Sequence, residues 1–140
     1  MTFDWLSEVN WLAILVGAVA WWILGALWYS QAVFGKAWLR ASGVTIQEGQ
    51  RPGPATYLVP LVAAFVTTTV VAMLAQATGS TTFGEGIVLG LLVGVGFAVA
   101  FYAVEATFGN RPQPGTWFVI TALYQLVGMM IATVIVTVWD

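Results

Sequence analysis

Residues 86–107 read GIVLGLLVGVGFAVAFYAVEAT, an apolar run in which Glu105 is the one charged side chain. At a rise of about 1.5 Å per residue, a helix of this length crosses the roughly 30 Å hydrocarbon core of a bilayer. The sequence therefore predicts an all-α integral membrane protein, a bundle of four transmembrane helices that forms a single domain over residues 1–140. The other three helices are predicted from apolar stretches of similar length at 11–29, 57–77 and 117–138.

The composition indicates that a bilayer is the solvent of this chain. Of its 140 residues, 60% are hydrophobic and 7% are charged, which is more apolar surface than a soluble core of this size can bury. Cysteine and histidine are absent, so we predict no disulfide, no metal site, no cofactor and no enzymatic activity. Four basic residues against six acidic ones form no basic stripe, so we expect no nucleic-acid binding.

The basic residues predict the orientation in the membrane. Lys36, Arg40 and Arg51 lie in the connection 30–56, and Arg111 follows the third predicted helix. An even number of crossings puts these two loops on one side, and basic loops favour the cytoplasm. We expect four cytoplasmic anchors, both termini outside, and a multi-pass protein of the bacterial plasma (inner) membrane. The first ten residues contain no Lys or Arg, so the first helix is expected to be retained rather than cleaved as a signal peptide.

Part of the long connection has the pattern of a short amphipathic helix. Over residues 32–42, apolar side chains such as Val33 and Trp38 alternate with Lys36 and Arg40. A short interfacial helix on the anionic inner leaflet would use both kinds of side chain. An ordered loop packed against the bundle explains the pattern equally well.

Two segments of the chain share one pattern. Residues 51–57 read RPGPATY and residues 111–117 read RPQPGTW, and each immediately precedes a predicted helix. Proline can begin a helix, Thr can cap it, and an aromatic ring anchors at the headgroups. We predict a tandem two-helix repeat whose copies are related by an axis along the membrane normal. The alternative is two independently optimised helix starts.

The stretch at residues 25–38, GALWYSQAVFGKAW, resembles a bacterial membrane family known as domain of unknown function 1761. That family typically shows Trp-Tyr-Ser-Pro followed by Phe-Gly and a Trp at this spacing, in chains of similar length with four spans. Here Gln31 stands where the family usually has proline. The resemblance supports the four-helix architecture and implies no activity, because the family has no established function.

Small residues mark the predicted helix contacts. Gly86, Gly90 and Gly94 recur every fourth residue and form a glycine zipper that lets another helix approach closely. On the fourth predicted helix, Gly128 and Gln125 fall on one face. The helix that packs on the zipper can belong to the same chain or to a second subunit. We expect a homo-oligomer or a subunit of a membrane complex, with membrane lipids as further partners.

Five side chains within the predicted helices are candidate cavity or ligand contacts. Ionisable and polar groups at this depth are functional suspects, and two adjacent Trp residues can wall a pocket for a hydrophobic or cationic ligand. Each also has a structural explanation, such as an ion pair for the acid, a hydrogen bond across the bundle for the amide, and core packing for the Trp pair. The five are Glu105, Tyr102, Gln125, Trp21 and Trp22.

Two functions follow from these features. We expect a helical scaffold or accessory subunit that acts through helix–helix and lipid contacts, since the predicted helices hold few reactive groups. The alternative is a small oligomeric transporter or channel for a small or hydrophobic solute, with Glu105, Tyr102 and Gln125 along its path. No predicted helix carries an acid near the bilayer centre to couple protons, which argues against the alternative.

Overall fold

The computed structural model describes residues 3–45 and 52–139, and every regular element within them is helical. A short 3₁₀ turn, Phe3–Ser7, precedes the first helix. A π-helical segment, Gly94–Val99, joins α4 and α5 into one continuous helix. The helices are α1 (Trp11–Trp28), α2 (Gly35–Ser42), α3 (Ala55–Thr78), α4 (Phe83–Val93), α5 (Ala100–Phe108) and α6 (Pro114–Val138).

Among the described residues, four helices are long and apolar enough to cross a membrane. We call them spans 1 to 4, which are α1, α3, the continuous helix Phe83–Phe108 and α6 in chain order. The predicted all-α architecture with four membrane-spanning helices is therefore confirmed. Span 2 begins at Ala55, directly after Pro54, and span 4 begins at Pro114, both slightly earlier than predicted. Pro114 fits the first turn of its helix, where its missing N–H costs nothing.

The helix ends follow local sequence signals. The Thr82 hydroxyl accepts a hydrogen bond from the Glu85 amide at 3.3 Å, and the Glu85 carboxylate accepts one from the Thr82 amide at 3.0 Å. This reciprocal pair satisfies two free amides at the start of span 3. The Asn10 side chain accepts from the Ala13 amide at 3.0 Å and caps span 1 in the same way.

Span 4 lies at the centre of the bundle and contacts the other three spans as well as α2. Small residues permit the close approach of span 1. A β-carbon on Gly17 would lie 3.5 Å from the Ala132 Cα, and one on Gly25 would lie 2.6 Å from the Tyr124 hydroxyl. Span 4 has 44% of its most apolar window buried, the largest share of the four spans. The other spans therefore pack around span 4.

Span 3 meets span 4 through Gly86 and Gly90 of the predicted glycine zipper. β-Carbons on Gly86 and Gly90 would lie 2.9 Å from the Val134 Cα and 3.0 Å from the Met130 Cα. The helix that packs on the zipper therefore belongs to the same chain in this structure. The stripe ends at Gly94, where the π-helical segment begins and changes the phase of the helix.

The two halves of the chain pack unequally. Span 1 lies along both span 2 and span 4, whereas spans 2 and 3 meet mainly where α3 approaches α4. The beginning of α3 up to Pro60 is exposed, while Ala64, Thr68 and Val71 further along it are buried. Spans 2 and 3 thus do not reproduce the extensive contact between spans 1 and 4. The tandem repeat stays a prediction.

Replacing Gly90 tests the contact between spans 3 and 4. Gly90→Leu should lower the free energy of unfolding by roughly 1–3 kcal/mol, because the side chain would push against the Met130 backbone. Thermal unfolding and size-exclusion chromatography in detergent measure the loss. The matched control is Gly96→Leu in the same span, where a β-carbon meets no atom within 4 Å. Equal stability of the two variants would contradict this packing.

Candidate functional site at the basic end of the bundle

One end of the bundle carries all the basic residues that the structure describes, Lys36, Arg40 and Arg111. We call it the basic end. It comprises α2, the end of span 1, the end of span 3 and the start of span 4, and it contains the stretch 25–38 that carries the family resemblance. The fourth predicted anchor, Arg51, lies outside the described residues.

A tight turn follows span 1 within that stretch. The Phe34 amide donates to the Trp28 carbonyl at 3.0 Å, and the Gly35 amide donates to the Ser30 carbonyl at 2.9 Å. Gly35 is packed so closely that a β-carbon would collide with the Tyr29 carbonyl oxygen and lie 2.8 Å from the Ser30 carbonyl oxygen. Only glycine therefore fits this position, which explains the Phe-Gly pair in physical terms.

The aromatic side chains around this turn converge on the start of span 4. The Trp28 indole N–H donates to the Ile120 carbonyl at 3.0 Å, and the Trp38 indole N–H donates to the Thr121 hydroxyl at 3.3 Å. Burial raises the pKa of Tyr29, whose hydroxyl lies in a hydrogen bond with the same Thr121. These bonds clamp span 1 and α2 onto the same turn of span 4.

Tyr124 lies at the centre of the aromatic cluster. Its ring meets Tyr29 edge-on at 5.2 Å between centroids and lies 6.3 Å from the Trp28 ring, which are favourable distances for aromatic pairs. Gly25 of span 1 makes room for its hydroxyl, which donates to the Trp21 carbonyl at 3.4 Å. Sequence reasoning did not select Tyr124, because a Tyr in an apolar helix carries no distinctive spacing signal.

The two mid-span Trp residues are packing groups in this structure. Trp21 is 4% exposed, and its indole lies on Gly128 of span 4, where a β-carbon would collide with the ring. The Trp22 indole N–H donates to the Tyr57 carbonyl at 2.9 Å and so ties span 1 to the start of span 2. The structure thus places Trp21 and Trp22 in contacts with two different helices and in neither case beside Glu105.

Gln125 makes its hydrogen bond across the bundle. Its amide nitrogen donates to the Tyr102 hydroxyl of span 3 at 3.1 Å. Tyr102 also meets the Trp117 ring edge-on at 5.8 Å between centroids. Both residues are half-buried, so the polar pair is shielded within the contact between spans 3 and 4.

Glu105 lies in an ion pair at the edge of the bundle. Its carboxylate is 3.2 Å from the Arg111 guanidinium, and the Glu105 side chain is 58% exposed. The Arg111 guanidinium also lies 3.5 Å from the centroid of the Trp117 ring and donates to the Glu105 carbonyl at 3.1 Å. Arg111 thus closes the end of span 3 and covers the start of span 4.

Hydroxyl groups inside the spans are mostly satisfied by the preceding turn. Thr69, Thr133 and Thr137 each donate to the carbonyl four residues earlier, at 2.6 to 2.8 Å. The exception is Thr68, which is fully buried. Its hydroxyl oxygen is the one buried side-chain polar atom without a partner among the residues that the structure describes.

Two pockets in the described part of the chain lie away from the candidate residues. One is a cavity of about 40 Å³ at the end opposite the basic end, lined in part by Asn10, Gln76 and Ser80. The other is an open apolar groove on span 2 between Leu58 and Ala63. Neither pocket is lined by Glu105, Tyr102 or Gln125.

The chemistry of the basic end is that of a clamp. Indole donors of span 1 and α2 are matched to acceptors on span 4, and span 4 itself donates from an amide to span 3 and from a hydroxyl to span 1. Aromatic rings fill the space between them. No group of three or more His, Cys, Asp or Glu residues that could hold a metal ion occurs in residues 3–45 and 52–139. The arrangement can therefore hold helices together and present a charged surface.

Comparison with known proteins identifies a matching family. A family model described as "Protein of unknown function (DUF1761)" matches residues 12–137, nearly the whole chain. The match confirms the resemblance carried by residues 25–38. No curated protein and no solved structure matches the chain.

A double-mutant cycle tests the pair formed by Tyr102 and Gln125. Tyr102→Phe and Gln125→Leu should each cost about 1 kcal/mol, because each leaves the other polar group without its partner. The double variant should cost less than the sum, with a coupling of about 0.6–2 kcal/mol. Unfolding in detergent measures all three. Tyr57→Phe, which alters a half-exposed ring, is the matched control and should cost nothing. Additive costs would show that the pair does not form.

Proposed function

The chain belongs to the DUF1761 family, whose function is unknown, and we propose that it is a membrane-embedded helical scaffold or accessory subunit. In this role it acts through contacts with other helices and with lipids and has no catalytic function. Its partners are membrane lipids and either further copies of itself or the other subunits of a membrane complex.

The observation that carries this proposal is that polar side chains are hydrogen-bonded to one another and to the backbone between the helices of the bundle. The polar groups of Trp22, Trp28, Trp38, Tyr102 and Gln125 are all engaged in hydrogen bonds between different helices. A solute path needs polar groups that face water or the solute. Groups that are paired within the bundle instead make it rigid, as a scaffold requires.

The outer surface supports the same proposal. Span 3 has 11% of its most apolar window buried, the smallest share of the four spans. Phe97, Phe101 and Phe108 on this span are 60%, 69% and 82% exposed. In a bilayer these rings contact acyl chains or another helix, so span 3 offers the surface on which a partner helix can pack.

A small transporter remains the alternative because one chain of contacts runs inward from the basic end. Glu105 pairs with Arg111, Arg111 lies over Trp117, and Trp117 meets Tyr102, which binds Gln125. If water enters along this series of contacts, the carboxylate of Glu105 is the only acidic group on the path. The scaffold proposal requires that the path be closed to water and solutes.

Neutralising Glu105 separates the two functions. For a scaffold, Glu105→Gln should change the free energy of unfolding by about 0–1 kcal/mol, because an exposed ion pair contributes little. Liposomes that contain the wild-type protein should leak protons no faster than protein-free liposomes, as measured with an enclosed pH-sensitive dye. Glu8→Gln, an exposed acid outside the spans, is the control. Proton flux that is present in the wild type and in Glu8→Gln and lost in stable Glu105→Gln would establish a transporter.

We also propose that the basic end faces the cytoplasm of a bacterial cell, with both termini outside the plasma membrane. The three described basic residues at this end support this orientation. The chain has no cysteine, so single cysteines can be labelled selectively. An impermeant thiol reagent added to intact cells should label a cysteine at Ser80 and spare cysteines at Ser42 and Gln113. The reverse pattern would invert the orientation.

A further inference from the structure

The short helix α2 carries two basic side chains on one exposed face. Lys36 and Arg40 are one helical turn apart, so they project from the same side, and both are exposed. The opposite side of α2 contains the buried residues Gly35 and Ala41. The helix is therefore amphipathic, with a basic face turned away from the bundle.

The inner side of α2 is attached firmly to the bundle. Trp38 donates to Thr121 as described above, and the Gln113 amide donates to the Ala41 carbonyl at 3.2 Å. After the helix, Gly43 adopts a left-handed conformation, with Pro112 so close that a β-carbon would lie 2.9 Å from its Cδ. These contacts fix the position and orientation of the basic face relative to the start of span 4.

The two charges on this face have no acidic partner within residues 3–45 and 52–139. The ion pair in that part of the chain joins Glu105 to Arg111, whose guanidinium is also covered by Trp117. Helix stability does not explain Lys36, because a positive charge in the first turn opposes the helix dipole. A ligand that supplies negative charge would satisfy both side chains.

Exposed apolar side chains flank the basic face. Val33 and Phe34 precede α2 and Val44 follows it, with 52%, 37% and 52% of their surfaces exposed. A free anion would leave these side chains in water, whereas a phospholipid covers them with its acyl chains while its phosphate meets the charges. Both the charge and the apolar flanks therefore fit an anionic phospholipid.

We infer that Lys36 and Arg40 bind the phosphate headgroup of an anionic phospholipid, with Val33, Phe34 and Val44 against its acyl chains. The site would anchor the basic end at the membrane surface. The inference requires only that the protein lies in a bilayer, and it holds whether or not the scaffold function is correct.

Titration with a defined lipid tests the site. The purified full chain in neutral detergent micelles is titrated with phosphatidylglycerol, and the thermal unfolding temperature reports binding, since a ligand of the folded state raises it. Lys36→Gln/Arg40→Gln should need about 25-fold more phosphatidylglycerol for the same rise, because each basic residue near an anionic surface contributes a factor of about five. Lys36→Arg/Arg40→Lys keeps both charges and should behave as wild type.

Further titrations distinguish a lipid from a free anion, and binding of an anionic lipid from binding of any lipid. Phosphatidylcholine and inorganic phosphate should give no comparable rise, and high salt should weaken the effect of phosphatidylglycerol on the wild type. An undiminished response of Lys36→Gln/Arg40→Gln would overturn the site, and an equal rise with inorganic phosphate would overturn its assignment to a lipid. Neither result depends on the proton-flux measurement that tests the scaffold.

Discussion

The structure depends on the requirement that polar groups inside a bilayer find partners within the protein. Span 4 meets this requirement for much of the bundle. Its Ile120 carbonyl and Thr121 hydroxyl accept hydrogen bonds from Trp28 and Trp38, and its Gln125 amide donates to Tyr102. Each of these bonds joins span 4 to a different neighbour, so the central position of span 4 follows from the pairing of polar groups as much as from apolar packing.

Close approach makes this pairing geometrically feasible. Lipid tails are as apolar as the helix surfaces, so helices in a membrane associate mainly through van der Waals contact and hydrogen bonds. Gly25 and Gly128 admit the rings of Tyr124 and Trp21, and Gly86 and Gly90 bring span 3 against the backbone of span 4. The result is a tightly joined contact surface inside and an apolar, largely exposed surface on span 3, which is why we favour a scaffold.

The four membrane-spanning helices could be predicted because the length of an apolar stretch reports directly on crossing a bilayer. The close contacts of Gly86 and Gly90 could be expected for a similar reason, since their spacing is close to the helical period. The clamp at the basic end was harder to predict, because Trp residues near helix ends, such as Trp28, Trp38 and Trp117, are typical of anchors at the membrane interface. Only the fold shows that Trp117 is buried beneath Arg111. Likewise, the wide separation of Tyr102 and Gln125 in sequence gives no local signal that they pair.

The central claim is that span 4 packs against span 3 of its own chain, and disulfide trapping tests it most directly. A β-carbon on Gly94 would lie 3.8 Å from the Met129 Cβ, which is a typical spacing for a disulfide. In this cysteine-free chain, oxidation of Gly94→Cys/Met129→Cys in membranes should give a cross-linked monomer. An equal mixture of the two single variants should give no dimer containing one of each. Such a dimer, without a cross-linked monomer, would show that the zipper joins two chains and would contradict the account.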